Sequence, residues 1–543
     1  MKTNSSPSRG RALNIRAGSA ARLSGIILLC GAAASAARGQ CDPRWYATDG
    51  VGGADPAVYC VTVWDRDGEG PLVPMVVIGG VFTQVGSMPA GYIAAWDGTA
   101  WSDLGGGVNG TVNSLAVMQT GELVAAGTFT EAGGVPANRI ARFDGSAWSA
   151  FSTGMNNAVQ AVAVLTSGDV VAGGSFSNAG GAAVNRIARW NGSSWSAMGV
   201  MNSTVWTLLA LDDDRLVAGG QFTYTTSVPA NKIAHWNGSA WTGMGVPNNT
   251  VLSLGRASNG DVFAGGLFTY VGVFASRIAR YSFTTGWSAM AGGINGPVWA
   301  IRTLQNGEVV AGGTFLIADG QYINGIARWN GTNWGPMGLG MENPPNVLGL
   351  AQLPGGDLYA GGGFSIADGL WSPGLARWAT PGAPVIVSQP ESTASCPAGP
   401  ASFVVVAEGE AALEHLWQAE LDPGVWSDLA DGDLYHGSTR IASVSGATSP
   451  TATFTAMEQF RSDRIELAVR CVVTGSCGNV VSNSAVLLVC PADFDCTGFV
   501  DTEDFDAFVR AFEAGTDNAD FDGSGFVDTD DFDAFVRAFE AGC

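Results

Sequence analysis

Short apolar runs alternate with glycine-rich turns along most of the chain. Residues 111–154 show one complete unit of this pattern, in which Asp144-Gly145 separates the last two runs. Such a pair favours a tight hairpin, because both central residues of that turn need positive φ. The predicted strands are Val112–Met118, Leu123–Thr130, Ile140–Phe143 and one around Trp148. The unit is therefore predicted to be a four-stranded antiparallel sheet.

The unit is repeated every 46 to 49 residues. In each copy a Gly-Gly pair, once Ala-Gly, stands just ahead of a phenylalanine. These phenylalanines are Phe82, Phe129, Phe176, Phe222, Phe268, Phe315 and Phe364. A period of this length is too long for one hairpin and is typical of the four-stranded blades of a β-propeller.

Aromatic residues of the third and fourth strands indicate how the ring closes. The third strands carry Trp96, Phe143, Trp190, Trp236, Tyr281, Trp329 and Trp378, and the fourth strands carry Trp45, Trp101, Trp148, Trp195, Trp241, Trp287 and Trp334. The fourth-strand set begins first, so a strand at Trp45 would complete the last sheet and remove an open edge. Residues 41–379 are therefore predicted to form a mainly β fold, a seven-bladed β-propeller.

One column of residues varies from copy to copy and predicts a binding site. It lies just after the first valine of each innermost strand and consists of Tyr59, Asn113, Gln160, Trp206, Leu252, Trp299 and Leu348. The column should lie near one end of the central channel, where Tyr59, Trp206 and Trp299 could stack on a sugar or hold a peptide. Packing between neighbouring sheets is the competing interpretation, and the sequence alone favours it over binding.

Three third-strand segments, Ala141-Arg142-Phe143, Ala188-Arg189-Trp190 and Ala327-Arg328-Trp329, resemble the kelch-like repeats of bacterial surface proteins. The resemblance covers the whole repeat region. It implies the propeller fold and leaves activity open, because one fold carries many functions.

Beyond Trp378 the repeat stops, and residues 380–490 form the next predicted domain. Its predicted strands are Ser402–Ala407, Leu413–Ala419, Ile465–Thr474 and Val480–Val489. Trp417 and Cys471 stand where an immunoglobulin-like sandwich has its core tryptophan and later-strand cysteine, so the segment resembles that family. Val404–Val406 occupy the strand that would carry the first cysteine. The resemblance implies a spacer or adhesive module.

A twelve-residue acidic segment occurs twice in residues 491–543, beginning at Asp493 and at Asp520. Oxygen-bearing side chains fall at positions 1, 3, 5, 9 and 12, with glycine at 6 and a backbone carbonyl at 7, which predicts an EF-hand-like calcium loop. Two calcium ions would be bound by Asp493, Asp495, Thr497, Phe499, Asp501 and Asp504 and by Asp520, Asp522, Ser524, Phe526, Asp528 and Asp531.

Each loop is followed by a predicted helix with one apolar face. The faces consist of Phe505, Phe508, Val509 and Phe512 and of Phe532, Phe535, Val536 and Phe539. A duplicated loop and helix without the first helix of an EF-hand resembles a dockerin, and most closely the dockerin-like anchors of exported bacterial proteins that end in Gly-Cys, as here. The resemblance implies a cohesin-like or cell-surface receptor, contacted at loop positions 10 and 11 by Thr502, Glu503, Thr529 and Asp530.

Acidic residues outnumber basic ones, and the formal net charge at pH 7 is −22. Residues 491–543 carry 15 acids against Arg510 and Arg537, which is −13 of that total. Nucleic acid is therefore an unfavourable partner, because phosphate contacts need a basic face.

The first 39 residues differ in composition from the rest. Four arginines from Arg9 to Arg22 precede the apolar run Leu23–Ala34 and then small residues. This order predicts a signal peptide over residues 1–39 and a secreted or cell-surface protein. The apolar run is too short to span a bilayer comfortably, and no later segment approaches that length.

Loss of the signal peptide would leave eight cysteines, an even number that favours disulfides in an exported chain. All eight are expected to pair. A bridge between Cys41 and Cys60 stays open, because the predicted strands place them towards the outermost and innermost edges of the propeller. The other candidate pairs are Cys471 with Cys396 or Cys477, and Cys543 with Cys490 or Cys496.

The sequence offers no catalytic motif around its three histidines, His235, His415 and His436. His235 stands where most copies have arginine, which indicates a structural substitution. We therefore expect a non-enzymatic binding or structural protein. The competing interpretation is an extracellular glycan-active enzyme carried by a dockerin, which would need a cluster of acids at one mouth of the propeller.

Overall fold

The computed structural model describes residues 41–54, 56–68, 70, 72–226, 228–396, 399–409, 412–456, 465–490, 492–494, 500–516, 519–521, 524 and 526–541. The predicted signal peptide lies outside these residues. About half of the described chain is β-strand, and its α-helices lie beyond residue 500.

Residues 44–379 form seven four-stranded antiparallel sheets, here called sheet 1 to sheet 7 in the order of their innermost strands. From the innermost strand outwards, sheet 1 consists of Val58–Trp64, Met75–Gly80, Ile93–Trp96 and Trp101–Ser102; sheet 2 of Val112–Val117, Leu123–Gly127, Ile140–Phe143 and Trp148–Ala150; sheet 3 of Val159–Val164, Val170–Gly174, Ile187–Trp190 and Trp195–Ala197; sheet 4 of Val205–Ala210, Leu216–Gly220, Ile233–Trp236 and Trp241–Gly243; sheet 5 of Val251–Arg256, Val262–Gly266, Ile278–Ser282 and Gly286–Ala289; sheet 6 of Val298–Thr303, Val309–Gly313, Ile326–Trp329 and Trp334–Pro336; and sheet 7 of Val347–Gln352, Leu358–Gly362, Leu375–Ala379 and Arg44–Ala47.

The innermost strands form a closed ring. Each packs beside the innermost strand of the next sheet, and that of sheet 1 also packs beside that of sheet 7. Sheet 7 is completed by the N-terminal strand, in which Arg44 pairs with Ala379 and Trp45 with Trp378. The predicted pairing of these two segments is therefore present. Radial repetition of such sheets around a central channel is the architecture of a β-propeller.

In sheets 2 to 7 the fourth-strand tryptophan bonds the sheet to the one before it. The indole N–H of Trp148 donates a hydrogen bond to the Leu104 carbonyl over 2.6 Å, and that of Trp45 donates to the Met337 carbonyl over 2.9 Å. Trp195, Trp241, Trp287 and Trp334 make the same type of bond. Tryptophan recurs in this strand because it buries a large apolar area while its N–H finds a partner.

A short hairpin follows the second strand of most sheets. Its paired segments are Gln84–Val85 with Met88–Pro89, Glu131–Ala132 with Val135–Pro136, Asn178–Ala179 with Ala182–Ala183, Tyr224–Thr225 with Val228–Pro229, Ile317–Ala318 with Gln321–Tyr322, and Ile366–Ala367 with Leu370–Trp371. Val51–Gly52 and Met341–Glu342 add a third strand to the first and last of these. In sheet 5 a single bridge joins Tyr270 and Phe274 at the same place. Because the second strand is antiparallel to the innermost one, the hairpins lie at the end where the innermost strands begin.

Residues 385–489 form a second set of sheets around one core. One sheet consists of Thr393–Ser395, Ala485–Val489, Ile465–Gly475, Gly478–Val481, Glu414–Asp422 and Val425–Asp428; another of Pro400–Val404, Thr451–Ala456, Thr439–Ser445 and Gly432–His436; and Val385–Ser388 pairs with Val406–Glu408. Trp417, Phe403 and Phe454 meet in the core between the two larger sheets, each fully buried.

Two predicted strands of this segment are wrong in detail. The predicted strand Ser402–Ala407 is divided at Val405 into two strands that belong to different sheets. The Val405 side chain is buried in the core, and its N–H donates to the Pro450 carbonyl instead of to a neighbouring strand. The predicted strand Val480–Val489 divides in the same way into Gly478–Val481 and Ala485–Val489.

Two helices, Thr502–Ala514 and Thr529–Ala541, follow the acidic loops. Asp501 caps the first, since its carboxylate accepts from the Glu503 N–H while the Asp504 carboxylate accepts from the Asp501 N–H. The rings of Phe508 and Phe535 stack at 4.0 Å between the helices. Neither helix of the described chain has the length and apolar character needed to cross a membrane.

The cysteine expectations are partly wrong. Cys41 is bonded to Cys477, with Cα atoms 5.1 Å apart, so the open Cys41–Cys60 pairing is not formed. Cys60 and Cys471 are free, and the strands that pair with theirs carry no other cysteine within the described residues. Cys396 and Cys490 are disulfide-bonded. Cys496 and Cys543 lie outside the described residues.

Denatured, unreduced protein is therefore expected to expose at least two thiols. In the folded protein Cys471 should not react, because burial raises the pKa of its thiol to about 11. Cys60, half-buried, should react slowly because burial raises its pKa as well. Titration with a chromogenic disulfide reagent, with and without denaturant, checks this. Loss of one thiol in each of the Cys60→Ser and Cys471→Ser variants would assign them, and fewer than two thiols in the parent would contradict the structure.

Candidate functional site

The Gly-Gly pair of each repeat places one residue of the innermost strand out of register. In sheet 1, Val58 pairs with Gly80 and Cys60 with Gly79, so Tyr59 is the extra residue of a β-bulge. A side chain on Gly80 would put its Cβ 2.0 Å from the Ala57 carbonyl oxygen, and only glycine permits this approach. Bulges redirect side chains, and here the diglycine sequence builds one.

The same bulge occurs in every sheet. The extra residues are Tyr59, Asn113, Gln160, Trp206, Leu252, Trp299 and Leu348. All seven line one cavity of about 530 Å³ at the channel. The column read from the sequence, including Tyr59, Trp206 and Trp299, is thus brought together in a single place.

Polar contacts set the character of this cavity. The Asn113 amide donates to the Val159 carbonyl over 2.9 Å, which ties sheet 2 to sheet 3. The Trp299 indole donates to Thr314 Oγ1 over 3.2 Å. The indole nitrogen of Trp206 is buried and has no hydrogen-bond partner in the described chain. Such a donor favours any ligand or water that can accept from it.

A row of asparagines, which the sequence interpretation missed, holds the hairpins against the channel mouth. Asn109 Oδ1 accepts from the N–H groups of Thr130 and Glu131 at 2.8 and 3.0 Å. Asn156, Asn202, Asn248 and Asn295 make equivalent bonds to their own hairpins. The available signal was that each asparagine stands three residues before the first valine of an innermost strand.

His235 lies in the wall of sheet 4, away from the cavity residues. In sheet 7 the corresponding Arg377 donates to Asp357 over 2.6 Å. Sheet 4 has Arg215 in place of that acid, and burial followed by the Arg215 charge lowers the pKa of His235. His235 is therefore neutral at neutral pH, which fits a structural substitution.

The predicted calcium ligands are described only in part. Asp495, Thr497, Phe499 and Asp522 lie outside the described residues. Of the others, Asp493, Asp504 and Asp531 are at most 1% exposed, while Asp501, Ser524, Phe526 and Asp528 lie at the surface. Within the described residues alone, no group of three metal-binding side chains is close enough to hold an ion.

Burial of these carboxylates nonetheless suits a hard cation. Asp504 and Asp531 each use one oxygen to cap a helix, at 2.9 and 2.8 Å from a backbone nitrogen. Buried carboxylates are costly without hydrogen bonds or positive charge to compensate them. The all-oxygen donor set therefore fits calcium.

The four predicted partner-contact residues occupy equivalent positions on the two helices. Thr502, Glu503, Thr529 and Asp530 all occupy the exposed first turns of the two helices. They are accessible to a receptor.

The fold and channel define a β-propeller protein. More particularly, residues 73–204 match the family model of the Rax2 C-terminal beta propeller domain. No curated protein matches the sequence.

Similar solved structures include the N-terminal Ig1-2 module of the Drosophila receptor protein tyrosine phosphatase DLAR, at 15% identity over 24% of this chain, with a TM-score of 0.15. This chain spans 61% of the length of that module. The titin M4 structure is similar at 18% identity over 20% of this chain and 94% of its own, with a TM-score of 0.14. Scores this low support no conclusion about the fold.

Proposed function

We propose that this protein is an exported, non-enzymatic binding protein whose seven-bladed β-propeller holds a ligand at its channel mouth. Residues 1–39 would be its signal peptide. An immunoglobulin-like sandwich over residues 380–490 would act as a spacer, and a dockerin-like module over residues 491–543 would attach it to a cohesin-like or cell-surface partner.

The convergence of seven bulged residues on one cavity carries the binding role. Elsewhere in the repeat, glycine, phenylalanine and tryptophan recur because each solves the same packing problem in every sheet. The bulge position is freed from that constraint, since its residue leaves the strand pairing. Variation at this position, with large rings at Trp206 and Trp299, is what a site adapted to one ligand requires.

Composition of the cavity argues against the glycan-active enzyme. Glycoside hydrolysis uses two carboxyl groups on either side of the scissile bond. The described residues that line this cavity include no aspartate, glutamate or histidine. Binding without turnover is therefore the better-supported role for the channel.

The spacer role rests on the packing of residues 385–489. Trp417 pairs across the sheet with Cys471, and both are fully buried beside Phe403. Phe403 fills space next to the tryptophan that a disulfide occupies in many immunoglobulin-like domains. This arrangement stabilises a sandwich without the inter-sheet bridge.

The anchor role rests on the two acidic loops. Asp493, Asp501 and Asp504 of the first loop, and Asp520, Asp528 and Asp531 of the second, would hold one calcium ion each with the remaining loop donors. Calcium would supply the positive charge that lets these carboxylates approach one another. Asp504 and Asp531 also cap their helices, so they link metal binding to helix formation.

Binding and hydrolysis can be separated with the chain beginning at Gln40. We expect it to bind members of a glycan or peptide array without releasing chromophore from chromogenic glycosides. Glycoside turnover would reject the non-enzymatic proposal and favour the enzyme.

Substitution of the channel tryptophans is expected to weaken that binding. Trp206→Ala and Trp299→Ala should each reduce affinity for an array ligand by about tenfold, because each removes an aromatic contact surface. Titration calorimetry measures the loss, and Tyr435→Ala, which removes a half-exposed ring from the sandwich, is the control. Equal affinity in all three variants would place the ligand elsewhere.

A further inference from the structure

The residues at the channel mouth divide the propeller into two unlike sectors. Sheets 1 to 3 contribute Tyr59, Asn113 and Gln160, which all carry a polar group, whereas sheets 4 to 7 contribute Trp206, Leu252, Trp299 and Leu348. The apolar residues are therefore consecutive around the ring.

The outer hairpins divide in a similar way, with the aromatic row starting one sheet later. The residue four places before the third strand is Pro89, Pro136, Ala183 and Pro229 in sheets 1 to 4, but Phe274, Tyr322 and Trp371 in sheets 5 to 7. These three rings are 87%, 71% and 70% exposed. Their cross-strand neighbours are Gln84, Glu131 and Asn178 in sheets 1 to 3, and Tyr224, Tyr270, Ile317 and Ile366 in sheets 4 to 7.

Hydrogen bonds join the inner and outer rows on one face. Tyr224 N–H donates to Asn202, which precedes the innermost strand of sheet 4. The Trp299 indole donates to Thr314, whose hydroxyl donates to Asn346 Oδ1 over 3.1 Å, so the channel mouth of sheet 6 is connected to the start of sheet 7. The outer aromatic row therefore lies on the same face of the propeller as the channel mouth, at the end where the innermost strands begin.

The hairpins of this sector are braced. Asp319 Oδ1 accepts from the Gly292 N–H over 3.0 Å, and Asp368 Oδ1 accepts from the Leu339 N–H over 2.7 Å. Each hairpin of sheets 6 and 7 is thus tied to a loop of the preceding sheet. A ring on a rigid hairpin loses little conformational entropy on binding.

Charge and spacing decide the kind of ligand. Residues 222–229, 268–276, 315–323 and 364–372 contain no lysine or arginine and only two acids, Asp319 and Asp368. An anionic polymer is therefore disfavoured. Phe274 packs edge-on against Tyr270, with ring centroids 5.6 Å apart. Phe274, Tyr322 and Trp371 lie on three different hairpins, so each offers its own flat apolar surface among amides and hydroxyls. A sugar ring has the same two requirements, an apolar face to pack and hydroxyls to hydrogen-bond.

We propose that sheets 4 to 7 form one extended binding surface for a neutral polysaccharide, which runs from the channel mouth across the outer rings Phe274, Tyr322 and Trp371. This inference rests on the proposed ligand-binding role of the channel mouth and names its ligand class. Binding at the outer rings goes beyond the proposed role of the channel mouth.

Affinity electrophoresis of the chain beginning at Gln40 tests this claim. The gels contain mixed-linkage β-glucan, xyloglucan, galactomannan or hydroxyethylcellulose as neutral probes, and polygalacturonate as an anionic probe. We expect retardation by at least one neutral probe. The triple variant Phe274→Ala, Tyr322→Ala, Trp371→Ala should bind that probe at least about tenfold more weakly. The control variant Pro89→Ala, Pro136→Ala, at the same hairpin position of sheets 1 and 2, should bind like the parent.

Three results would overturn the inference. Retardation of the outer-ring variant equal to the parent, with loss in Trp206→Ala, would confine binding to the channel and leave the proposed function intact. If no neutral probe retards the protein, a polysaccharide ligand is rejected. The array of short ligands then still tests whether the channel mouth binds a ligand. A parent dimer in sedimentation that becomes a monomer in the outer-ring variant would assign the rings to self-association. An unchanged melting temperature shows that the variants are folded.

Discussion

Deletion of Cys41–Gly50 is expected to open the propeller and to produce a protein that aggregates or melts far below the parent. The segment supplies the outermost strand of sheet 7, where Trp45 is 1% exposed. Its ring packs on Trp378 at a centroid distance of 5.3 Å. Without it, the edge of Leu375–Ala379 and the apolar surface under Trp45 face solvent, which invites intermolecular pairing.

A point substitution separates ring closure from simple loss of chain. Trp45→Ala should destabilise the propeller by about 3–5 kcal/mol, as for other buried tryptophans, measured by chemical denaturation. The control is Cys41→Ser with Cys477→Ser, which removes the disulfide but leaves the strand. A melting temperature unchanged by both the deletion and Trp45→Ala would refute closure by the N-terminal strand.

Removal of calcium is expected to unfold the two C-terminal helices. Their core consists mainly of phenylalanine rings around Phe508 and Phe535, which is little apolar area for a segment with a net charge of −13. Without a cation, repulsion between buried carboxylates opposes loop closure. Hydrogen exchange of the full chain should show Thr502–Ala514 and Thr529–Ala541 protected in calcium and fully exchanging in chelator.

Variants on one helix sharpen this test. Asp504→Asn should raise the calcium concentration needed for protection by about tenfold or more, because ligand charge sets affinity. Asp506→Asn is the matched control, since the Asp506 side chain is 71% exposed on the same helix. Full protection in chelator would show that the loops do not control folding.

Much of the propeller could be predicted because the same local contacts select the same residues in each repeat. The recurring contacts are made by the diglycine, the phenylalanine and the fourth-strand tryptophan. Gly80 and Trp148 are examples. The variable column could also be identified in the sequence, because its residues, such as Trp206, directly follow a recurring valine. The β-bulge that places these residues could not be predicted. In sheet 4 it depends on how the innermost strand pairs with Gly219 and Gly220.

The contact between the N-terminal segment and the sandwich, and the pairing of the cysteines, could not be predicted in the same way. Cys41 and Cys477 are 436 residues apart, and only the folded arrangement brings the N-terminal strand to the sandwich. Cys60 and Cys471 stay free because neighbouring strands present no second thiol, a fact that cysteine counting cannot contain. The aromatic row at Phe274 was also missed, since hairpin residues fall outside the regular strand pattern.

The most direct test of the binding propeller is a hydrogen-exchange footprint of the chain beginning at Gln40, with and without the best ligand from the array. We expect protection of Val205–Ala210, Val298–Thr303 and the hairpins of sheets 5 to 7. Residues 385–489 and the outer hairpins of sheets 1 to 3 should change little. Protection confined to residues 385–489, or to the outermost strands, would contradict a ligand site at the channel mouth.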